Sequence, residues 1–275
     1  MKKIILWSIS FLFLVIIFIS SYLSLVGYET NKFNSLLENK ITSNVSNTEI
    51  NLKKIKIKID VQNMSFFITT LKPNIKYYEK NVNISKIDAY INLKSLLIGK
   101  PKIDKINIES NEIEVDEIKD IVKYQKPSNL KKFFLNEISK GKIIFKLDLK
   151  LKNNEIVNYE INGIVKNFFA RVQNIDIKKT SFIYSIKENS GEIDKIRGYI
   201  SGFQINSGSV KFDNSKTLNV KGNILSDLNL SKININKIIN KEVLKNFENL
   251  QIVGKIRSAF EIKFDETLKL IDYQA

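Results

Sequence analysis

From Lys54 onward, apolar and charged residues alternate with a period of two. In Lys54 to Val61 (KIKIKIDV), Ile55, Ile57, Ile59 and Val61 share one side, while Lys54, Lys56, Lys58 and Asp60 share the other. Successive side chains of a strand point to opposite faces, so the segment predicts a strand with one apolar and one charged face. Ile143 to Lys152 repeats the pattern. Ile143, Phe145, Leu147, Leu149 and Leu151 stand opposite Lys146, Asp148, Lys150 and Lys152, and Asn153-Asn154 then offers the left-handed conformations of a tight hairpin. Val157, Tyr159 and Ile161 form the returning strand. Shorter runs follow the same rule: Ile87, Ala89, Ile91 and Leu93; Ile175 and Ile177; Phe182, Tyr184 and Ile186; Val210 and Phe212; Leu218 and Val220; Phe260, Ile262 and Phe264. Residues 49–275 are therefore expected to be mainly antiparallel sheet.

Helical spacing interrupts the alternation. The run from Ile4 to Val26 has no charged residue and is long enough, at helical rise, to cross a hydrocarbon core of about 30 Å. Lys2 and Lys3 precede it, which predicts a cytoplasmic N-terminus for residues 1–27. A cleaved signal peptide would have a shorter apolar core and small residues at a cleavage site, and the stretch around Ser20 to Gly27 has no such pair. Phe33, Leu36, Leu37, Ile41 and Val45 recur at three- and four-residue spacing, which predicts an amphipathic membrane-proximal helix within 28–48. Val115, Ile118, Ile121 and Val122, then Leu130, Phe133, Phe134 and Ile138 beyond Pro127, predict one or two short helices. Ile235, Ile238, Ile239, Val243, Leu244 and Phe247 predict another.

Composition narrows the function. The chain has no histidine and no cysteine, so the commonest metal ligands, catalytic bases and thiol nucleophiles are missing, and no cofactor is expected. Glu112, Glu114, Asp116 and Glu117 cluster, but they read as a solvated face or a helix start, so the chain is not expected to be an enzyme. The net charge of +15 comes almost wholly from lysine, with arginine only at Arg171, Arg197 and Arg257. Spread along the chain and without an arginine-aromatic patch, this charge does not describe a nucleic-acid surface. It fits an AT-rich genome, which favours lysine, isoleucine and asparagine, or attraction to anionic head groups.

Two architectures satisfy the alternation. Either each apolar face packs on another in a sandwich or barrel, or the sheet curls into a long open groove whose apolar face is covered by lipid tails. The few glycines and prolines, 10 and 3, fit long strands with few sharp turns. In the open form, the lining comes from Ile55, Ile57, Ile59 and Val61, from Ile91 and Leu93, from Ile106 and Ile108, from Phe145, Leu147, Leu149 and Leu151, and from Tyr159 and Ile161.

The segment Asn83 to Val115 carries a more specific signal. A strand runs into a turn of the form L-x-x-L-L-x-G-K at Leu93, Leu96, Leu97, Gly99 and Lys100. A strand I-x-x-I-x-I follows at Ile103, Ile106 and Ile108, then I-x-V at Ile113 and Val115. This resembles the N-terminal signature of AsmA-like proteins, the group that includes AsmA, TamB and YhdP. The order of parts is similar as well: a basic start, a transmembrane helix, an amphipathic helix and alternating strands. The resemblance implies an extended, curved antiparallel groove on an inner-membrane anchor, with the bulk of the chain in the periplasm. It further implies that phospholipids are bound or conducted toward the outer membrane, with a partner protein or further groove units. Family members are usually much longer. A structural or assembly role for outer-membrane proteins, with a self-packed sheet, is the alternative.

Overall fold

The structure is a computed structural model that describes residues 2–32, 34–35, 38–39, 42, 47–61, 65–92, 95, 98, 102–152, 155–172, 175–215, 217–229, 253–265 and 270–274. It is mainly β. Most strands belong to one large antiparallel sheet, and a separate three-stranded sheet joins Thr48–Asn51 (β2), Asn74–Tyr77 (β5) and Lys80–Val82 (β6). Contacts divide the chain into two compact units, Met1–Asn111 with Leu147–Tyr159, and Glu112–Lys146 with Glu160–Ala275.

In the first unit, helix α1 (Lys2–Leu25) is followed at once by sheet. The amides of Val26 and Gly27 both donate to the Tyr22 carbonyl, at 2.8 and 3.1 Å. Gly27 then adopts a left-handed φ of 82°, and a Cβ there would lie 2.8 Å from Lys58 Cγ. A residue without a side chain thus ends the helix and lets the chain turn against the sheet. Strand β1 (Tyr28–Thr30) pairs with β3 (Ile55–Asp60), Tyr28 opposite Ile57 and Thr30 opposite Ile55. Beyond β3 come β4 (Ser65–Leu71), β7 (Ile84–Asn92) and β8 (Ile103–Ser110), each antiparallel to the last.

The expected helix over 28–48 is corrected at both ends, because Tyr28–Thr30 and Thr48 onward are extended. Ladder hydrogen bonds to β3 and the 2.8 Å ion pair between Lys56 and Glu29 hold the first segment as strand. Phe33, Leu36, Leu37, Ile41 and Val45, which define the expected apolar stripe, lie outside the described residues. Asn34, Ser35, Glu38, Asn39 and Thr42 are helical. Glu38 accepts from the Leu52 amide at 2.6 Å and Asn34 donates to the Leu52 carbonyl, so two side chains satisfy the backbone of a buried residue.

In the second unit, β9 (Ile113–Glu114) leads into α2 (Val115–Val122) and α3 (Asn129–Glu137). Ser128, after Pro127, caps α3 by accepting from the Lys131 amide at 3.1 Å. Ile138 is not helical as expected. It opens β10 (Ile138–Lys152) and is buried with Val115 and Ala170, a position that favours a β-branched residue in extended backbone. Then follow β11 (Glu155–Val172), β12 (Ile175–Lys187), β13 (Ser190–Ile200), β14 (Phe203–Asp213), β15 (Leu218–Asn229), β16 (Val253–Phe264) and β17 (Leu270–Gln274). The expected runs Ile175–Ile177 and Phe182–Ile186 are one strand, interrupted by bulges. Asn167, Lys179 and Lys195 have φ of 49°, 48° and 54°, and the register shifts beside all three. Bulges bend the strands that carry them, so β11 and β12 change direction there. The expected helix of Ile235 to Phe247 and the Asn153-Asn154 turn lie outside the described residues.

Candidate functional site

Directly opposed residues in an antiparallel ladder share a face. In the first unit, this register gathers the alternating isoleucines into three rows. Ile57, Ile68, Ala89 and Ile106 make one; Ile59, Phe66, Ile91 and Ile103 make the second; Ile55, Thr70, Ile87 and Ile108 make the third. Six sequence-predicted lining residues, Ile55, Ile57, Ile59, Ile91, Ile106 and Ile108, thereby meet on one face. Within these rows, only Ile55 and Thr70 are buried, and the others are half-exposed. Val61 lies one residue past β3 and is exposed, outside the ladder. Leu93 lies outside the described residues, as do Leu96, Leu97, Gly99 and Lys100.

Leu147, Leu149 and Leu151 on β10 are half-buried. Asp148 between them comes within 3.9 Å of Lys105. Lys105 stands opposite Tyr90 on the polar face, so strand alternation turns the three leucines to the apolar side. Tyr159, on β11, is half-buried.

The polar face of this unit carries a buried cluster of ions and hydroxyls. Thr69 donates to Asp88, Lys86 lies 2.6 Å from the same carboxylate, and Asp88 is only 4% exposed. Burial pulls the Lys86 ammonium down, but its bond to Asp88 and the carboxylates of Asp88 and Glu109 outweigh that and hold it above its usual range. The Phe67 and Tyr90 rings stack at 5.1 Å, and Lys105 lies 5.6 Å from the Tyr90 centroid.

The second unit repeats the design with aromatics and glycine. One row runs Ile161, Ile186, Gly191, Phe212, Val220, Ile262 and Tyr273, and its neighbour runs Gly163, Tyr184, Ile193, Val210, Gly222 and Phe260. Each of these glycines lies under the ring of its cross-strand partner. A Cβ on Gly163 would meet the Tyr184 ring at 2.5 Å and also the Ile144 carbonyl; one on Gly222 would strike the Phe260 ring. Omitting the side chain lets the ring lie flat on the backbone and keeps the face smooth. Phe145 shares its side of β10 with Ile143, and both are half-exposed. Ile143, Phe168 and Ile177 pack with Phe134 of α3 and Val115 of α2, so the helix pair closes one end of this face.

Tyr184 is buried enough that desolvation pushes its phenol up to about 12. Charge concentrates on the other side. Glu192 is lowered by its 2.9 Å bond to Lys211, and Glu261 is lowered by Lys221 and Asn219. An open depression of about 380 Å³ is lined by Lys187, Glu192, Lys211 and Lys221 together with Gly191 and Phe212.

Sequence reading missed Phe66 and Ile68, because SFFITTL does not alternate cleanly, although its β-branched and aromatic content marks a strand. It also passed over the glycine-aromatic pairs, which only register reveals. Comparison with protein-family models, curated proteins and solved structures finds no match.

Gly163→Ala is expected to destabilise the fold by about 1–3 kcal/mol, the usual cost of overpacking. Gly254→Ala, with nothing within 4 Å of the new methyl, should change stability by less than about 0.5 kcal/mol. Urea denaturation of both variants checks this. The raised Tyr184 pKa makes a second expectation. Stability from the neutral phenol is complete below its ordinary value of 10 and is lost as pH rises toward about 12. Tyrosinate absorbance should show a component titrating near 12 that Tyr184→Phe removes.

Proposed function

We propose that this chain is a single-pass, inner-membrane-anchored protein of AsmA-like type. Its N-terminus is cytoplasmic and its sheet periplasmic, and the apolar sheet face binds or conducts phospholipids toward the outer membrane. The observation that carries the reading is the continuity of the apolar rows together with their half-exposure. In the first unit, ten of the twelve row positions are neither buried nor polar at the surface. An acyl chain laid on them is removed from water at about 0.8 kcal/mol per methylene, and the one polar residue of these rows, Thr70, is already buried.

The anchor supports the same reading. Leu6–Leu25 has a mean hydropathy of 2.2 and no buried share, so by length and composition this helix is apolar enough to cross a membrane. One residue, Val26, separates α1 from Gly27, and β1 starts next. The apolar face therefore begins beside the end of the apolar helix, through Tyr28 opposite Ile57. The N-terminal signature of the AsmA-like group, around Leu93 to Ile108, adds the phospholipid class to this reading.

Leu147→Asp with Leu149→Asp should remove co-purifying phospholipid while leaving the chain in the membrane fraction. A carboxylate under an acyl chain costs about 2 kcal/mol or more, which is more than about tenfold in occupancy. Lys150→Asp, on the other side of the same strand, should leave lipid content unchanged. Native mass spectrometry of the detergent-extracted protein makes the measurement. Equal lipid in the folded double variant would contradict the proposal, and lipid-free wild-type protein would favour a structural or assembly role.

A further inference from the structure

The register of the first unit gathers the end of α1 and two strand connections at one end of its sheet. Asp60, Ser65 and Asn92 stand side by side at the ends of β3, β4 and β7, and β8 begins there with Ile103 opposite Ile91. Strand β1 starts at the same end, with Tyr28 opposite Ile57. A Cβ on Gly27 would lie 2.8 Å from Lys58 Cγ and 3.3 Å from its Cε, so the Lys58 stem runs along the residue that ends the helix. No part of Leu6–Leu25 is buried, so the helix does not lie on the sheet. The chain thus passes from α1 into the sheet at the end that carries the β3–β4 and β7–β8 connections.

These connections do not have the composition of water-facing turns, which favour glycine, proline, asparagine and aspartate. Val61 of the first is 54% exposed and Ile98 of the second is 75% exposed, and Tyr28 at the start of β1 is 53% exposed. The second connection, residues 93–102 (LKSLLIGKPK), mixes leucine and isoleucine with lysine and contains no acid. Behind the two tips lie Lys58, half-exposed on β3, and Lys102, exposed just before β8. Among the described residues no carboxylate pairs with either, and the undescribed residues between 33 and 101 include neither Asp nor Glu. Asp104, two residues from Lys102, accepts from Asn92 at 2.8 Å.

Apolar side chains at the tips with cations just behind them match a bilayer interface, where acyl chains take the first and phosphates the second. Tyrosine suits the same level. A bilayer is also the partner that a helix as apolar as α1 brings to this end of the sheet.

We infer that this end of the sheet rests on the membrane that α1 crosses, with Val61 and Ile98 entering the adjacent leaflet and Lys58 and Lys102 meeting anionic phospholipid head groups. The strands then stand end-on, and the apolar rows open at the bilayer surface. The inference rests on the membrane anchor proposed above and is independent of what the apolar face carries.

The test places single cysteines in the full chain, which has none of its own, and attaches a polarity-sensitive fluorophore to each. The protein is reconstituted in vesicles of phosphatidylcholine and phosphatidylglycerol whose acyl chains carry a nitroxide quencher. Labels at Val61→Cys and Ile98→Cys should be quenched. Leu71→Cys is the control, because Leu71 is 52% exposed but lies at the other end of β4, about 20 Å away. Its label should lose most of that quenching. Lys58→Glu with Lys102→Glu should weaken quenching at Ile98 by at least about twofold in these vesicles, and by less in phosphatidylcholine alone. Phe13→Cys, midway along α1, reports the anchor separately. With Phe13 quenched, unquenched labels at Val61 and Ile98, or a label at Leu71 quenched as strongly as they are, would overturn the inference and leave the anchor standing. Quenching unchanged by the double lysine variant would overturn the head-group contact. An unquenched label at Phe13 would overturn the anchor and this inference together.

Discussion

Cross-strand register is the constraint on which the rest depends. Alternation within one strand yields only a two-sided ribbon. Ladder hydrogen bonds place Ile57 against Ile68, Ile68 against Ala89 and Ala89 against Ile106, and so convert separate ribbons into one apolar surface. A slip of one residue would set lysine against isoleucine along a whole row. The bulges of the second unit show how tightly the constraint is held. Past the irregular pairings around Phe168 and Ser181, apolar residues return to the packed face, with Ala170 opposite Ile177.

The two faces carry different chemistry. On the polar side, ions and hydroxyls find one another, as Lys86, Asp88 and Thr69 do, and Lys211 with Glu192. Exposed pairs of this kind contribute little to stability. They keep one face compatible with water while the other carries isoleucine, phenylalanine and glycine. Chemistry on the apolar side is correspondingly plain. Among the described residues its one titratable group with a large shift is Tyr184, whose ionisation burial moves from 10 up to about 12.

Much of this was legible in the sequence because period two is a local signal. The strands around Ile55 to Ile59, Ile87 to Ile91 and Ile143 to Leu151 could be read from neighbouring residues alone, as could the apolar helix. Non-local facts could not. Residues 28–30 became strand because β3 offered them a partner, and Ile138 left its helix because Val115 and Ala170 made a place for it. The candidate face divides the same way. Its isoleucines were identifiable from alternation, whereas Phe66, Ile68 and the glycines under Tyr184, Phe212 and Phe260 acquired meaning only from the strand opposite.

The central claim is that the apolar face meets acyl chains rather than protein. The absence of cysteine allows single spin labels at Ile68→Cys and Val210→Cys, with Lys211→Cys on the other side, in protein reconstituted with phospholipids that carry a paramagnetic group in the tail. The account predicts strong broadening at the first two positions and little at the third. Labels at Ile68 and Val210 that are shielded from the lipid tails as fully as the one at Lys211 would contradict it.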